Sequence, residues 1–91
     1  MRLDLFLKLS RLCPRRTVAQ QLCDAGLVLL NGHPAKSGHV VKPGDVLTVR
    51  RRDHELEVRV AAVPATRSVS KNDARSLFEQ LSQKIFEPGD L

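Results

Sequence analysis

Five basic side chains fall within the first sixteen residues: Arg2, Lys8, Arg11, Arg15 and Arg16, against the single acid Asp4. Guanidinium and ammonium groups held on short regular elements do one kind of chemistry well. They grip phosphate oxygens, Arg through a planar fork and Lys as a point charge. Arg15 and Arg16 open a stretch of helical periodicity, where free N–H groups and the macrodipole favour acids over bases. Two bases at that place break a local preference, and a phosphate bound at the helix start would supply the missing negative charge. Lys36, in a polar loop further on, completes a set of six candidate phosphate contacts.

Other chemistries find little support. Cys13 and Cys23 stand ten residues apart, which fits neither a zinc spacing nor a redox pair. They are expected to be reduced thiols on or under helix surfaces. His33, His39 and His54 fall in predicted loops, with no acid or cysteine beside them at a ligand spacing. No Ser-His-Asp, Cys-His or paired-carboxylate arrangement stands out, and the glycines are scattered as turn residues. A non-enzyme without metal or cofactor is expected.

The charge is unevenly placed. Residues 1–52 hold ten Lys/Arg against three Asp/Glu, and residues 53–91 hold five against seven. An excess confined to one half suggests a face for a polyanion. The chain has no Trp or Tyr and three Phe, so stacking platforms for single-stranded bases are missing. Arg outnumbers Lys ten to five. Such groups read backbone phosphates and the shape of folded RNA. The longest apolar run, Gly26–Leu30, is far short of a membrane span, and no signal-peptide core follows the N-terminus. A cytoplasmic protein with no membrane association is expected.

These side chains need elements to position them, and ninety-one residues allow one modest domain. Leu3, Phe6, Leu7 and Ser10 recur at helical spacing and predict a first helix over 3–11, with Asp4 near its start and four before Lys8. Pro14 suits the first turn of a second helix over 15–25, whose stripe is Val18, Leu22 and Ala25, with Ala19 and Cys23 beside it, and Gly26 as C-cap. A strand over 27–30 leads to the turn pair Asn31-Gly32, a strong hairpin signal. Val46–Arg50 and Leu56–Val63 read as a hairpin closed by Arg50-Arg51-Arg52-Asp53. This basic turn serves either as an RNA contact or as edge protection. Ser70 and Asp73 form a capping box, and Ala74, Leu77, Phe78, Leu81 and Ile85 predict a last helix ending near Pro88. The expectation is an α+β fold. A domain spans 1–63, a linker 64–69 and a C-terminal helix 70–87. Leu3, Phe6, Leu7, Val18 and Leu22 should pack on a small, mostly antiparallel sheet carrying Val28, Leu30, Leu47 and Val49.

Four ordered segments carry a resemblance. Arg2-Leu3-Asp4-Leu5-Phe6-Leu7-Lys8 resembles the opening of the RNA-binding domain named after small-subunit ribosomal protein S-four. Arg15-Arg16-Thr17 and Asp24-Ala25-Gly26-Leu27-Val28-Leu29-Leu30-Asn31-Gly32 are similar to its second helix and following strand. Lys42-Pro43-Gly44-Asp45-Val46-Leu47-Thr48-Val49 is similar to its end. The match covers about residues 1–50. It implies the alpha-L fold, a helical hairpin packed on a small sheet. Within the family the short stand-alone members of the RqcP group look most alike.

That resemblance implies a ribosome quality-control factor. It would bind obstructed large subunits through ribosomal RNA and peptidyl-tRNA and support template-free C-terminal tailing of stalled chains. The implied partners are ribosomal RNA, tRNA and a nascent-chain tailing factor, met by a monomer. Arg2 and Arg16 match the family's RNA contacts, with Lys8, Arg11 and Arg15 as neighbours. Two alternatives stay open. The heat-shock-protein-fifteen group shares the domain, but its long basic tail contrasts with three basic and four acidic residues after position 67 here. RNA-modifying enzymes and tyrosyl-tRNA synthetases also carry the domain, but this chain has no room for their catalytic parts. Met1 and the capped final helix point to a complete protein.

Overall fold

The computed structural model describes residues 1–66 and 68–86. Two helices open the chain, α1 (Leu3–Leu9) and α2 (Arg16–Asp24). Strands β1 (Val28–Leu30), β2 (His33–Pro34), β3 (Val46–Arg50) and β4 (His54–Val60) follow. A short helix α3 (Lys71–Ala74) and a 3-10 turn (Arg75–Leu77) lead into β5 (Phe78–Ile85). The strands form one antiparallel sheet in the order β2-β1-β3-β4-β5. This is the expected α+β arrangement of a helical hairpin on a sheet.

The helical hairpin covers one face of that sheet. Leu3, Phe6 and Leu7 of α1 are buried together with Val28, Leu47, Val49, Val58 and Val60 of the strands. Leu22 and Leu30 pack against this core from its margin. The buried stripe of α2 is Ala19 and Cys23, whereas Val18 is half-buried and Ala25 exposed. The seam is thus turned by one position from the Val18–Leu22–Ala25 stripe that periodicity suggests. Small residues there let α2 approach the domain closely. Pro14 lies outside α2, two residues before its first turn, with Arg15 as the extended N-cap.

Turn chemistry follows the sequence. Asn31 and Gly32 both take positive φ (51° and 87°), as a two-residue hairpin turn requires. The Asn31 amide also braces the next strand. Its Oδ1 accepts the Val46 N–H at 2.9 Å and its Nδ2 donates to Asp45 at 3.2 Å. Gly26 ends α2 at φ 74°, with the Leu27 N–H on the Leu22 carbonyl and its own N–H on the Cys23 carbonyl.

The segment after residue 69 departs from expectation. Ser70 caps as anticipated, accepting the Asp73 N–H at 3.1 Å. The helix then stops after one turn, and residues 78–85 of the expected helix over 70–87 form a strand. Residue 87 lies outside the described residues. The cause is tertiary. Strand β4 has a free edge whose backbone groups need partners, and Phe78–Ile85 satisfies them along its whole length. The Leu77 carbonyl accepts N–H groups from Ala61 and Ala62, which ends the helix there. The apolar spacing that mimics a helix includes a β-bulge at Leu81, between the pairs Val58–Gln80 and Glu57–Ser82. Phe78 therefore packs on the core as a strand residue, and Ile85 is exposed.

Candidate nucleic-acid interface

The first turn of α1 is built around a buried anion. Asp4 is wholly buried, and its carboxylate accepts hydrogen bonds from four residues. Leu5 N–H donates to Oδ1 at 2.8 Å. Arg2 forks across both oxygens, Nε to Oδ1 at 3.2 Å and Nη2 to Oδ2 at 3.3 Å. Arg16 Nε reaches Oδ2 at 3.2 Å and Gln20 Nε2 reaches it at 2.9 Å. Burial pushes the carboxyl pKa upward, but the donors from Arg2, Gln20, Arg16 and Leu5 outweigh it and hold the value at about 2. Asp4 is thus an anion at any physiological pH.

Local structure explains the convergence. Arg2 is the extended N-cap of α1 and forms an isolated bridge with Val40. The Leu3 N–H donates to the His39 carbonyl and the Val41 N–H to the Met1 carbonyl, so this segment is fixed to the loop after β2. The head of Arg2 lies over Gly38, where an added Cβ would stand 3.8 Å from the guanidinium carbon. Arg16 is the first residue of α2, and the helical hairpin brings it back over α1. Gln20 follows one turn later on the same side. Two guanidinium groups share one carboxylate, which leaves a net positive charge. Their side chains remain 51% and 39% exposed, so both keep N–H groups toward solvent while Asp4 fixes their orientation.

The other candidates take separate places. Arg15 is exposed at the N-cap of α2, beside Arg16, and no acid or side-chain cap occupies that first turn. Lys8 and Arg11 line a second notch, at the far end of α1, with Leu9, Cys13, Pro14, Ser68 and Val69. Arg11 sits there in the left-handed region at φ 63°, the position that Gly26 occupies after α2. That conformation costs an arginine about 1 kcal/mol. Lys36 is exposed in a groove shared with Gly38, on the Arg2 side. Within the basic turn, Arg50 is bound to Glu55 at 2.6 Å, Arg51 donates to the Cys13 sulfur at 3.8 Å, and Arg52 is exposed. Burial pushes the Cys13 thiol pKa up, although Arg51 opposes the shift. Burial likewise pushes Cys23 up, to about 11. Both thiols stay protonated and unreactive.

Asp4 as an organising residue, with Gln20, escapes the sequence reading, which pairs Asp4 with Lys8. No such ion pair forms among the described residues. One signal is present in the chain: Asp4 is the only acid before Asp24, amid five bases. Among the described residues no group of three or more His, Cys, Asp or Glu is placed to hold a metal. No described helix is long and apolar enough to cross a membrane.

The same scaffold occurs in known proteins. The sequence model of the S4 domain matches residues 1–47, the stretch that carries α1, α2 and the start of β3. The chain is 46% identical over 79 residues to the RQC P-site tRNA stabilizing factor of Halalkalibacterium halodurans, covering 87% of this chain and 88% of that one. It is 42% identical over 84 residues to the Bacillus subtilis factor of the same name, covering 92% and 95%. The fold superimposes on heat shock protein 15 of Vibrio cholerae with a TM-score of 0.80 at 26% identity, covering 90% of this chain and 82% of that chain. With the S4 domain matched across its helical hairpin and such identity along most of its length, the chain belongs to the S4-domain family of RQC P-site tRNA stabilizing factors.

Proposed function

We propose that this protein is an RNA-binding factor of ribosome quality control. It binds obstructed large subunits through ribosomal RNA and peptidyl-tRNA, stabilises the tRNA in the P site and so supports template-free tailing of the stalled chain. The observation that carries this reading is the Asp4-anchored pair of Arg2 and Arg16. It is a preorganised cationic fork, exposed on one side and held rigid on the other, as backbone phosphate recognition requires. Lys8, Arg11, Arg15 and Lys36 extend the contact, and the relatives' name supports tRNA as one ligand. The protein acts by holding RNA, without catalysis or cofactor. It works in the cytoplasm, where ribosomes are, and a nascent-chain tailing factor is its protein partner. One chain carries the whole fork, so the RNA-binding unit is a monomer. Residues 1–63 form the RNA-binding part, joined through 64–69 to a C-terminal segment that extends its sheet.

The test is co-sedimentation with large subunits that carry peptidyl-tRNA, set against empty subunits. Preference for the tRNA-bearing particle, lost in Arg16→Ala, supports the reading. Equal binding to both would remove the tRNA from it and favour a large-subunit recycling role of the heat shock protein 15 type. With about five phosphates neutralised, affinity should fall with salt at a log–log slope on the order of −3 to −4. A slope near zero would refute electrostatic capture.

A further inference from the structure

Strand β5 ends the sheet, and among the described residues it pairs with β4 alone, through seven of its eight members. An edge of this length, about 26 Å, is a template for a further strand. Two of the three large hydrophobics exposed among the described residues lie at its end, Ile85 at 72% and Phe86 at 40%. Charges and bulges commonly blunt such edges, and β5 has both. Here, however, they are arranged symmetrically. Set antiparallel to a second copy about a two-fold axis between Leu81 and Ser82, Phe78 meets Ile85, Glu79 meets Lys84 and Gln80 meets Gln83. These three pairs are complementary, apolar with apolar, acid with base and amide with amide, while the central pair sets Leu81 against Ser82.

In an unbroken strand this register would fail. The members of each pair lie an odd number of positions apart, and alternation would put them on opposite faces. The bulge at Leu81 removes the conflict, because alternation restarts one position late. Phe78, Gln80, Gln83 and Ile85 stand opposite Val60, Val58, Leu56 and His54, on the face that the helices cover. Glu79 and Lys84 stand opposite Arg59 and Glu55, on the open face. These three pairs therefore share a face only because the strand is bulged where it is.

We propose that β5 is a self-docking edge through which two copies of the free protein pair antiparallel, joining their sheets about a two-fold axis between Leu81 and Ser82. The occupant is a second copy because the strand carries its own complement in reversed order. Arg2 is held at the other margin of the sheet, by the loop after β2, so each copy keeps its arginine fork clear of the contact. The pairing does not depend on the RNA reading.

Sedimentation velocity on the full chain should show a concentration-dependent monomer–dimer equilibrium. Glu79→Lys and Lys84→Glu chains each place like charges opposite each other at two symmetric sites, and each alone should weaken dimerisation about tenfold. Mixed together they should dimerise again, since both basic positions of the first chain then face acidic positions of the second. Thermal unfolding of each variant checks that the fold is kept. Should a charge variant unfold, a mixture of Gln80→Cys and Gln83→Cys chains under mild oxidation decides the matter. The two should cross-link to each other and neither to itself. A wild-type chain that stays monomeric to millimolar concentration overturns the proposal. So does a Gln80→Cys chain that links to itself as readily as to Gln83→Cys, or charge variants that do not recover on mixing.

Discussion

Arg2 and Arg16 at the hairpin, and Arg50 and Arg59 on the open face of the sheet, are the same residue type with carboxylates at similar distances, yet they are positioned for different ends. At the hairpin two guanidinium groups share Asp4, which is fully buried. On the sheet Arg50 and Lys84 flank Glu55, and Arg59 faces Glu79, an acid that is itself 66% exposed. Glu57 lies between them across from Thr48. Three bases there meet three acids, and the face is neutral overall. The hairpin carries one acid for two bases, and that acid is out of water's reach. A cationic site is thus marked less by how many bases it holds than by uncompensated charge fixed from beneath.

Removing the buried anion should erase this contrast most completely. Asp4→Ala leaves Arg2, Arg16 and Gln20 without their common acceptor, and the fold should lose about 3 kcal/mol by urea titration. RNA affinity should fall even at temperatures where the variant remains folded, because the fork loses its orientation. Stability unchanged within error would show that Asp4 anchors nothing. The same group predicts a pH dependence. Its pKa is depressed from 3.8 to about 2 in the fold, so its contribution is complete above pH ~4 and lost as pH falls toward 2. That loss is about 2 kcal/mol in the wild type and absent in Asp4→Asn.

Arg16→Ala and Arg2→Ala come next. Neither lies on an apolar stripe, which by itself suggests almost no cost in stability. Each nevertheless donates to a buried carboxylate, and the structure raises the expected cost to about 1 kcal/mol. RNA binding should weaken by roughly 1.5–3 kcal/mol, and Arg16→Lys should recover only part of it, having no planar fork. Stable variants that co-sediment with large subunits like the wild type would put the binding surface elsewhere.

Arg11→Gly separates folding from binding, because its two readouts should move in opposite directions. Relief of the left-handed arginine should stabilise the fold by about 1 kcal/mol. Loss of the cation should weaken RNA binding. Parallel changes in both would mean that Arg11 is there for the fold. The smallest effect belongs to the sheet: Glu55→Gln should change stability by less than about 1 kcal/mol and leave RNA binding intact.

The chain up to the end of β4 is legible in the sequence because its signals are local. The two helices, the Asn31-Gly32 turn, the Gly26 cap and the β3–β4 hairpin each rest on residues adjacent in the chain. The six basic candidates are visible as charges, but their grouping is not. Whether Arg2 meets Arg16 depends on the angle between two helices, and composition does not contain that angle. Spacing pairs Asp4 with Lys8, four residues on, whereas its side-chain partners lie two, twelve and sixteen residues away.

Propensity, capping and charge are properties of short stretches, so the order of residues alone sets the two helices, the position of the turns and the sign of the charge in each half. The burial of Asp4 beneath two arginines is a different matter, because the hairpin has to close before those donors converge. The strand at Phe78–Ile85 likewise exists only in the folded chain. The apolar spacing of that segment permits a helix, but the open edge of β4 offers a row of unpaired backbone groups, and satisfying them outweighs a local helical preference.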